Sequence, residues 1–371
     1  MEPTAPRILT INAGSSSVKF ALFGVDGTVI ERGVTETAAG HEAAAKFIFD
    51  WLAARLGGAT PAAIGYRVVH GGPKYSEPAL ITDEVLRDLA AITPFDPEHL
   101  PEEMHLIEAL RKQFPGVPHV ACFDTAFHND MPRVAHILPI PRKYGAQGVR
   151  RYGFHGLSYS FLMEELARVA GTDAAAGRVV LAHLGSGASL CAVRGGTSVD
   201  TTMAFTPTAG IPMSTRSGDL DPGLAFYFAR TEGMTPQQFN KMVDFESGLL
   251  GISETTADMH ALILNSDNDP RAAEAVAVFC YEVKKRIGAF AAAMGGIDTI
   301  VFAGGIGEAA PKIRARVCEG LEFLGVALDA AKNDAGEALI SATAGKVAVR
   351  VMHTDEEAMI ARAVSRLLKT N

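Results

Sequence analysis

Two arginines, Arg67 and Arg216, are the residues of this chain best suited to grip anions. Arg67 lies in the β-branched run YRVVHGG, where a solvent-facing role is awkward, and Arg216 lies in the turn-rich stretch STRSGDLDP. A planar guanidinium fork matches both a carboxylate and a transferring phosphoryl group. Two separated arginines plus Lys19 could therefore clamp the two anions together. Asp124 leaves the buried run HVACF, and His155 follows the aromatic residues of RYGFHG. A lone aspartate or histidine in such surroundings is more often structural, so these two gain meaning only alongside the arginines.

Glycine turns supply the complementary part. INAGSSSVKF, residues 11–20, joins two apolar runs but lacks the Gly-Lys-Ser/Thr ending of a nucleotide P-loop, since Lys19 is followed by Phe20. A hairpin turn can still aim backbone N–H groups and serine hydroxyls at phosphate oxygens. Asn12 could hold a metal-bound water there, and Lys19 could add positive charge. The alternative is a polar hairpin with Lys19 in solvent. A second loop, His183-Leu184-Gly185-Ser186-Gly187, has two glycines that let a phosphate approach the backbone. A third, Gly304-Gly305-Ile306-Gly307-Glu308, opens a helix and could seat part of a nucleotide. It lacks the third glycine of a dinucleotide fingerprint and comes late in the chain, which disfavours a Rossmann domain.

These groups need elements that deliver them together. ILTI and VKFALF read as two strands, with VDG as the next turn, and His41–Leu56 reads as a helix stopped by Gly57-Gly58. IGYRVVHGG is a strand closing on glycines, Glu84–Leu89 and Glu102–Phe114 are helices, and HVACF is a strand that ends at Asp124. Strand ends beside loops are where open α/β sheets place their sites. The second half, from about Tyr152, contains VVLAHLGSGASLCAV, again strand, glycine turn and strand. Gly185 falls on Gly14 at an offset of 171 (185 − 14), which hints at a duplication. TIVFAGGIGEAAPKIRARV then gives strand, turn and helix, followed by the strand VAVRVM. A final amphipathic helix, Asp355–Leu368, places Ala358, Ile360, Ala361, Ala363 and Leu367 on one apolar side.

Composition bounds the class. A chain of 371 residues suggests two domains, and 48% apolar with 20% charged residues describes an ordinary globular protein. The net charge of −8 argues against nucleic-acid binding without excluding a small anionic ligand. Cys122, Cys191, Cys280 and Cys318 are scattered, so neither a disulfide framework nor a zinc knuckle is expected. MEPTAPRILT lacks the apolar core of a signal peptide, and the apolar segment from Arg271 to Ile297 is broken by Glu282, Lys284, Lys285 and Arg286. The expectation is a cytoplasmic protein with no membrane span. Taken together, the pattern suits a two-lobed phosphotransferase with its nucleotide in a cleft between lobes. Phosphoryl transfer asks a protein mainly for in-line positioning, charge neutralisation and Mg²⁺.

The segments TINAGSSSVKF, YRVVHGG, FDTAFH, YGFHG, HLGSGAS, FTPTAGIPMSTRSGDLDP, VFAGGIGE and TDEEAMIAR run in one order from Leu9 to Arg362. In this the chain resembles the acetate kinase family. The resemblance implies an α/β, duplicated actin/sugar-kinase/Hsp70-like (ribonuclease H-like) fold. Residues 1–125 with the C-terminal helix 356–371 would form the N-terminal lobe, and 126–355 the C-terminal nucleotide-binding lobe. It implies reversible, Mg²⁺-dependent transfer of the ATP γ-phosphate to a short carboxylate, giving acyl phosphate and ADP, in a homodimer. Asn12 and Glu356 would bind Mg²⁺, while Arg67 and Arg216 would grip the carboxylate and the charge developing on phosphorus. Asp124 would be the key carboxylate, orienting Mg²⁺-bound water or the arginines, because a carboxylate nucleophile needs no base. His155 would donate a hydrogen bond to the phosphoryl group, and Lys19 and Ser17 would support the first loop. His183, Leu184, Gly185, Ser186 and Gly187 would hold phosphates. Asp258, Met259 and His260, with Gly305, Ile306, Gly307, Glu308 and Ala309, would receive the nucleoside end. Val69, Phe154 and Pro207 would line the acyl pocket.

The chain also departs from the family pattern. Thr93-Pro94-Phe95-Asp96-Pro97 stands where Pro-Leu-His-Asn-Pro is usual, and Leu157 and Tyr159 stand in YGFHGLSY for threonine and histidine. Ser186, His260 and Ala309 replace asparagine, arginine and asparagine around the nucleotide, and the first lobe is short before YRVVHGG. Loss of leucine at Pro94 would enlarge the acyl pocket toward propionate or a somewhat larger acid. The competing expectation is a catalytically weak nucleotide-binding homologue that acts as a sensor or partner-binding module.

Overall fold

The computed structural model describes residues 6–14, 17–36, 40–57 and 59–370. Ser15 and Ser16 of the first turn and Gly58 of the expected helix stop lie outside the described residues. The chain divides into two compact units, one comprising Met1–Asn129, Phe154–Phe161 and Asp355–Asn371, the other Asp130–Gly153 and Leu162–Thr354. The short run Phe154–Phe161, which carries His155, thus groups with the first unit.

The first unit is built on a six-stranded sheet of order β3-β2-β1-β4-β6-β5. Its strands are β1 (Arg7–Ala13), β2 (Ser17–Gly24), β3 (Val29–Glu36), β4 (Ala63–Val68), β5 (Ala79–Leu80) and β6 (His119–Phe123). The hairpin β1–β2 is antiparallel and pairs Asn12 with Lys19, while β4 and β6 add in parallel on the other side of β1. HVACF is buried along its whole length, as a strand covered on both faces must be. The C-terminal helix, Glu356–Thr370, lies on this sheet and buries Ile360, Ala363 and Val364 against Ile8, Ala63, Val120 and Cys122. Gly65 of β4 has no room for a side chain, since a Cβ there would come within 2.5 Å of Ile360 Cγ2 and 2.6 Å of Val364 Cγ2. Close helix-on-sheet packing explains that glycine.

The second unit repeats the wiring in a five-stranded sheet, β11-β10-β7-β8-β9. Its strands are β7 (Arg178–Leu184), β8 (Ala188–Arg194), β9 (Thr197–Thr201), β10 (Thr299–Ala303) and β11 (Ala348–Val351). Again the first three strands form an antiparallel meander, and two more add in parallel beside the first. The Gly14 and Gly185 turns therefore occupy matching places in matching hairpins. Each glycine donates across its own turn, Gly14 N–H to Ser17 O three residues on at 2.8 Å and Gly185 N–H to Gly187 O two residues on at 3.2 Å. The helix Pro270–Met294 packs on β7, β8 and β9. It buries Ala272, Ala275, Val276, Phe279, Val283, Ile287 and Phe290 at three- and four-residue spacing, and Lys285 pairs with Glu282 at 2.8 Å. Among the described residues no helix is long and apolar enough to cross a membrane. All four cysteines are buried, and none is in a disulfide.

Candidate active site

In the first unit, Arg67 comes from β4 and Asp124 from the residue after β6, neighbouring parallel strands whose carboxyl ends lie side by side. Both Nε and NH2 of Arg67 reach Asp124 Oδ2, at 2.9 and 2.6 Å, and NH1 donates to the Ala13 carbonyl at 2.9 Å. A guanidinium carries five N–H donors, so two remain after these contacts. The Asp124 side chain is wholly buried and that of Arg67 is 15% exposed. Burial works against the arginine's charge, but Asp124, Glu103 and Glu356 outweigh it and raise its pKa further.

One residue before Ala13, Asn12 donates its side-chain N–H groups to Glu356 Oε2 at 2.8 Å and Glu357 Oε1 at 3.0 Å. The structure thus brings together the two residues expected at the metal, from the first strand and the last helix. Arg32 of β3 bonds Asp355, and its NH1 lies 3.4 Å from Glu357, which fixes the start of that helix. Asp355 caps it through the Ala358 N–H at 2.9 Å. Burial first, and then the neighbouring Asp124, push the Glu356 carboxyl up to about 7. The Asn12 side-chain oxygen and the Glu356 carboxylate are hard oxygen donors of the kind Mg²⁺ takes. Among the described residues no group of three His, Cys, Asp or Glu side chains is arranged to hold a metal. Lys19 is exposed on β2, in the solvent-facing arrangement, although it is the cross-strand partner of Asn12.

His155 has φ of 60°, unusual for a residue with a side chain, and strain of this kind is often kept at functional positions. Its neighbour Gly156 donates its N–H to the Asp124 carbonyl at 2.9 Å, and a Cβ at 156 would come within 2.2 Å of that oxygen. The glycine lets the His155 turn close on Asp124. His128 also bonds the Phe154 carbonyl at 3.0 Å, and the buried Tyr159 ring lies at 5.6 Å from His128. Buried His70 has Phe95 and Phe154 edge-on, each at 5.6 Å between centroids. The Phe95 substitution is therefore part of this aromatic cluster, whereas Pro94 is exposed. Of that altered pair, Phe95 rather than Pro94 is the residue in contact with the cluster around Phe154.

In the second unit, Ser214 N–H bonds the Ser186 carbonyl at 3.1 Å, which joins the Arg216 loop to the second glycine loop. Arg216 NH1 lies 3.4 Å from the Pro207 carbonyl. Gly248 lets the chain pass beneath, since a Cβ there would meet the Met213 carbonyl at 2.2 Å. Gly304, with φ of 76°, presses on the end of β7, so the second and third loops adjoin. Glu308 accepts the Gly304 N–H at 3.0 Å and contacts His353 at 2.9 Å. Gly185, Ser186, Gly187, Gly305 and Ala309 are at least partly exposed, whereas Leu184 and Met259 are buried. Asp258 caps the helix Met259–Asn265 by accepting from Ala261 N–H at 2.7 Å, and His260 is exposed.

Three residues escape a reading by sequence. Fully buried Arg314 donates to the Gly307 and Glu308 carbonyls at 2.9 and 2.8 Å and to Asn333, bracing the third loop. Glu103 and Glu357 join the Arg67 and Asn12 clusters. A charged residue at a buried position of an amphipathic helix was the available signal for Glu103.

A model of the acetokinase family matches residues 33–362. The chain belongs to the acetokinase family. An acetate kinase of Rhodopseudomonas palustris is 41% identical, with 97% of this chain and 98% of that protein covered. A propionate kinase of Citrobacter rodentium is 40% identical, covering 97% and 96%. The crystal structure of Porphyromonas gingivalis acetate kinase superposes with a TM-score of 0.88 at 34% identity, covering 98% of this chain and all of that one. The family assignment makes the protein a kinase with the duplicated α/β fold that the two sheets display.

Proposed function

We propose that the protein transfers the γ-phosphate of ATP, reversibly and with Mg²⁺, to a short-chain carboxylate such as acetate or propionate, giving an acyl phosphate and ADP. The observation that carries this reading is Arg67, held by Asp124 and the Ala13 carbonyl with two donors remaining, one residue from the Asn12–Glu356 pair. Family membership supports it.

The carboxylate substrate is ionised near neutral pH, so its oxygen attacks the γ-phosphorus without a base, and the bond from phosphorus to the ADP oxygen breaks. Asp124 then has no proton to remove, and its work is to orient Arg67. Arg67 pairs with the substrate carboxylate, and Val69 and Phe154 border the acyl group. Arg216 neutralises charge on the transferring phosphoryl group, His155 donates a hydrogen bond to it, and Pro207 also lines the acyl pocket. The segment His183, Leu184, Gly185, Ser186 and Gly187 holds phosphates. Asp258, Met259 and His260, with Gly305, Ile306, Gly307, Glu308 and Ala309, receive the nucleoside end. Ser17 and Lys19 support the first hairpin. Bound through Asn12 and Glu356, Mg²⁺ would supply charge neutralisation for the phosphates.

A hydroxamate assay for acyl phosphate tests the reading, run over acetate, propionate and butyrate with ATP, GTP and pyrophosphate as donors. ATP-dependent product with a short acid is expected, and its absence with every acid overturns the proposal. The same reading takes the protein as a cytoplasmic homodimer. Exposed Phe226 and Tyr227, on a helix (Gly223–Thr231) with no buried residue, support a covered face, and a monomer by light scattering would count against it.

A further inference from the structure

The neighbourhood of Arg67 holds a carboxylate to which the reaction as described gives no task. Glu103 belongs to the first turn of the helix Leu100–Gln113 and is 4% exposed. Its Oε2 accepts the Val69 N–H at 2.9 Å, and its Oε1 lies 3.5 Å from NH1 of Arg67 with no hydrogen-bond partner. Val69 follows the last residue of β4, two positions after Arg67. One carboxylate therefore touches both the exit of the strand and the guanidinium that the strand carries. A buried carboxyl with one oxygen unpaired costs stability against a well-packed aliphatic residue, so packing does not explain this glutamate.

We propose that Glu103 is a positioning residue for the carboxylate grip, fixing the Val69 amide and the Arg67 guanidinium in one arrangement so that substrate meets both together. This rests on the reading of Arg67 as the residue that binds the substrate carboxylate. The groups facing Glu103 are Arg67 from β4, Asp124 after β6, Asp96 before its own helix, and the Val69 amide. Burial outweighs the attraction of Arg67 and pushes the Glu103 carboxyl up to about 8. Near pH 7 it is then mostly neutral and leaves Arg67 to the substrate, while at higher pH its charge competes for the guanidinium.

Glu103→Leu removes the acceptor for Val69, and Glu103→Gln keeps one without the charge. Glu103→Leu is expected to raise the carboxylate KM about tenfold with the ATP KM within about twofold, and Glu103→Gln to stay within about threefold of the parent near pH 7. In the parent the carboxylate KM should climb about fivefold from pH 7 to pH 9, and in Glu103→Gln it should stay flat. An unchanged carboxylate KM in Glu103→Leu, or an equal rise in the ATP KM, overturns the proposal. Should Glu103→Leu fail to fold, parallel pH profiles of parent and Glu103→Gln overturn it. A parent enzyme inactive on every acid overturns the reading of Arg67 and this proposal with it. An active parent whose profile Glu103→Gln leaves unaltered overturns the role of Glu103 alone.

Discussion

Asp124→Asn keeps the shape of the Asp124 side chain and removes the charge that holds Arg67. Two guanidinium donors converge on Asp124 Oδ2, at 2.9 and 2.6 Å, with the aspartate wholly buried. Each changes from an ion-paired hydrogen bond to one from the guanidinium to a neutral amide oxygen, a loss of about 1 kcal/mol apiece. The amide nitrogen would take the place of Oδ1, which is buried and has no partner, leaving a donor unsatisfied at about 1–2 kcal/mol. The sum, about 3–4 kcal/mol, corresponds to a fall in Tm of about 6–16 °C for a unit of this size. Activity should fall by about a hundredfold or more, because the guanidinium loses its orientation. Calorimetry and the hydroxamate assay read the two effects. A double-mutant cycle with Arg67→Ala should return a coupling of at least about 1 kcal/mol. An Asp124→Asn protein with Tm within about 2 °C and kcat within about threefold of the parent would refute the idea that this charge holds the arginine.

Arg216→Ala should lower kcat by about a hundredfold and leave the ATP KM within about threefold, as expected of a contact made chiefly in the transition state; an unchanged kcat in steady-state assays sinks the assignment. Gly65→Ala should destabilise the protein by about 2–3 kcal/mol in urea unfolding, because its Cβ would overlap Ile360 and Val364; a neutral result would contradict that packing. The pH dependence has a definite sign. Folding raises Glu103 from 4.5 to about 8 and Glu356 from 4.5 to about 7, so between about pH 6.5 and 8 the folded state binds more protons than the unfolded one. Stability should therefore fall as pH rises through that window. His119, lowered from 6.5 to about 4, acts in the opposite sense only below it. Tm in EDTA, measured from pH 6.5 to 8, should decline and Mg²⁺ should flatten the slope; a rising Tm would contradict the assignment.

Much of this architecture is legible in the residues alone. The hairpin LTINAGSSSVKFALF, the helix His41–Leu56 and the buried strand HVACF follow from period, turn chemistry and apolar runs, which are local properties. The 171-residue match of Gly14 with Gly185 pointed to duplication. Its confirmation is the common order of strands in two sheets, which depends on contacts between distant segments. β3 and β9 are short or largely exposed strands whose pairing partners define them more than their own sequence does.

The sequence by itself determined the elements and the chemical types available: two arginines, strand-end acids and glycine turns. Only the tertiary structure decided which of them meet. Asn12 and Glu356 stand 344 residues apart and share a 2.8 Å hydrogen bond because the last helix returns to the first sheet. Glu103 and Arg314 reveal themselves through burial and partners, since the charge of an isolated residue says nothing of what surrounds it. Hydrophobic period is a local signal, but the pairing of charges depends on desolvation and distance, which arise only when the chain has folded.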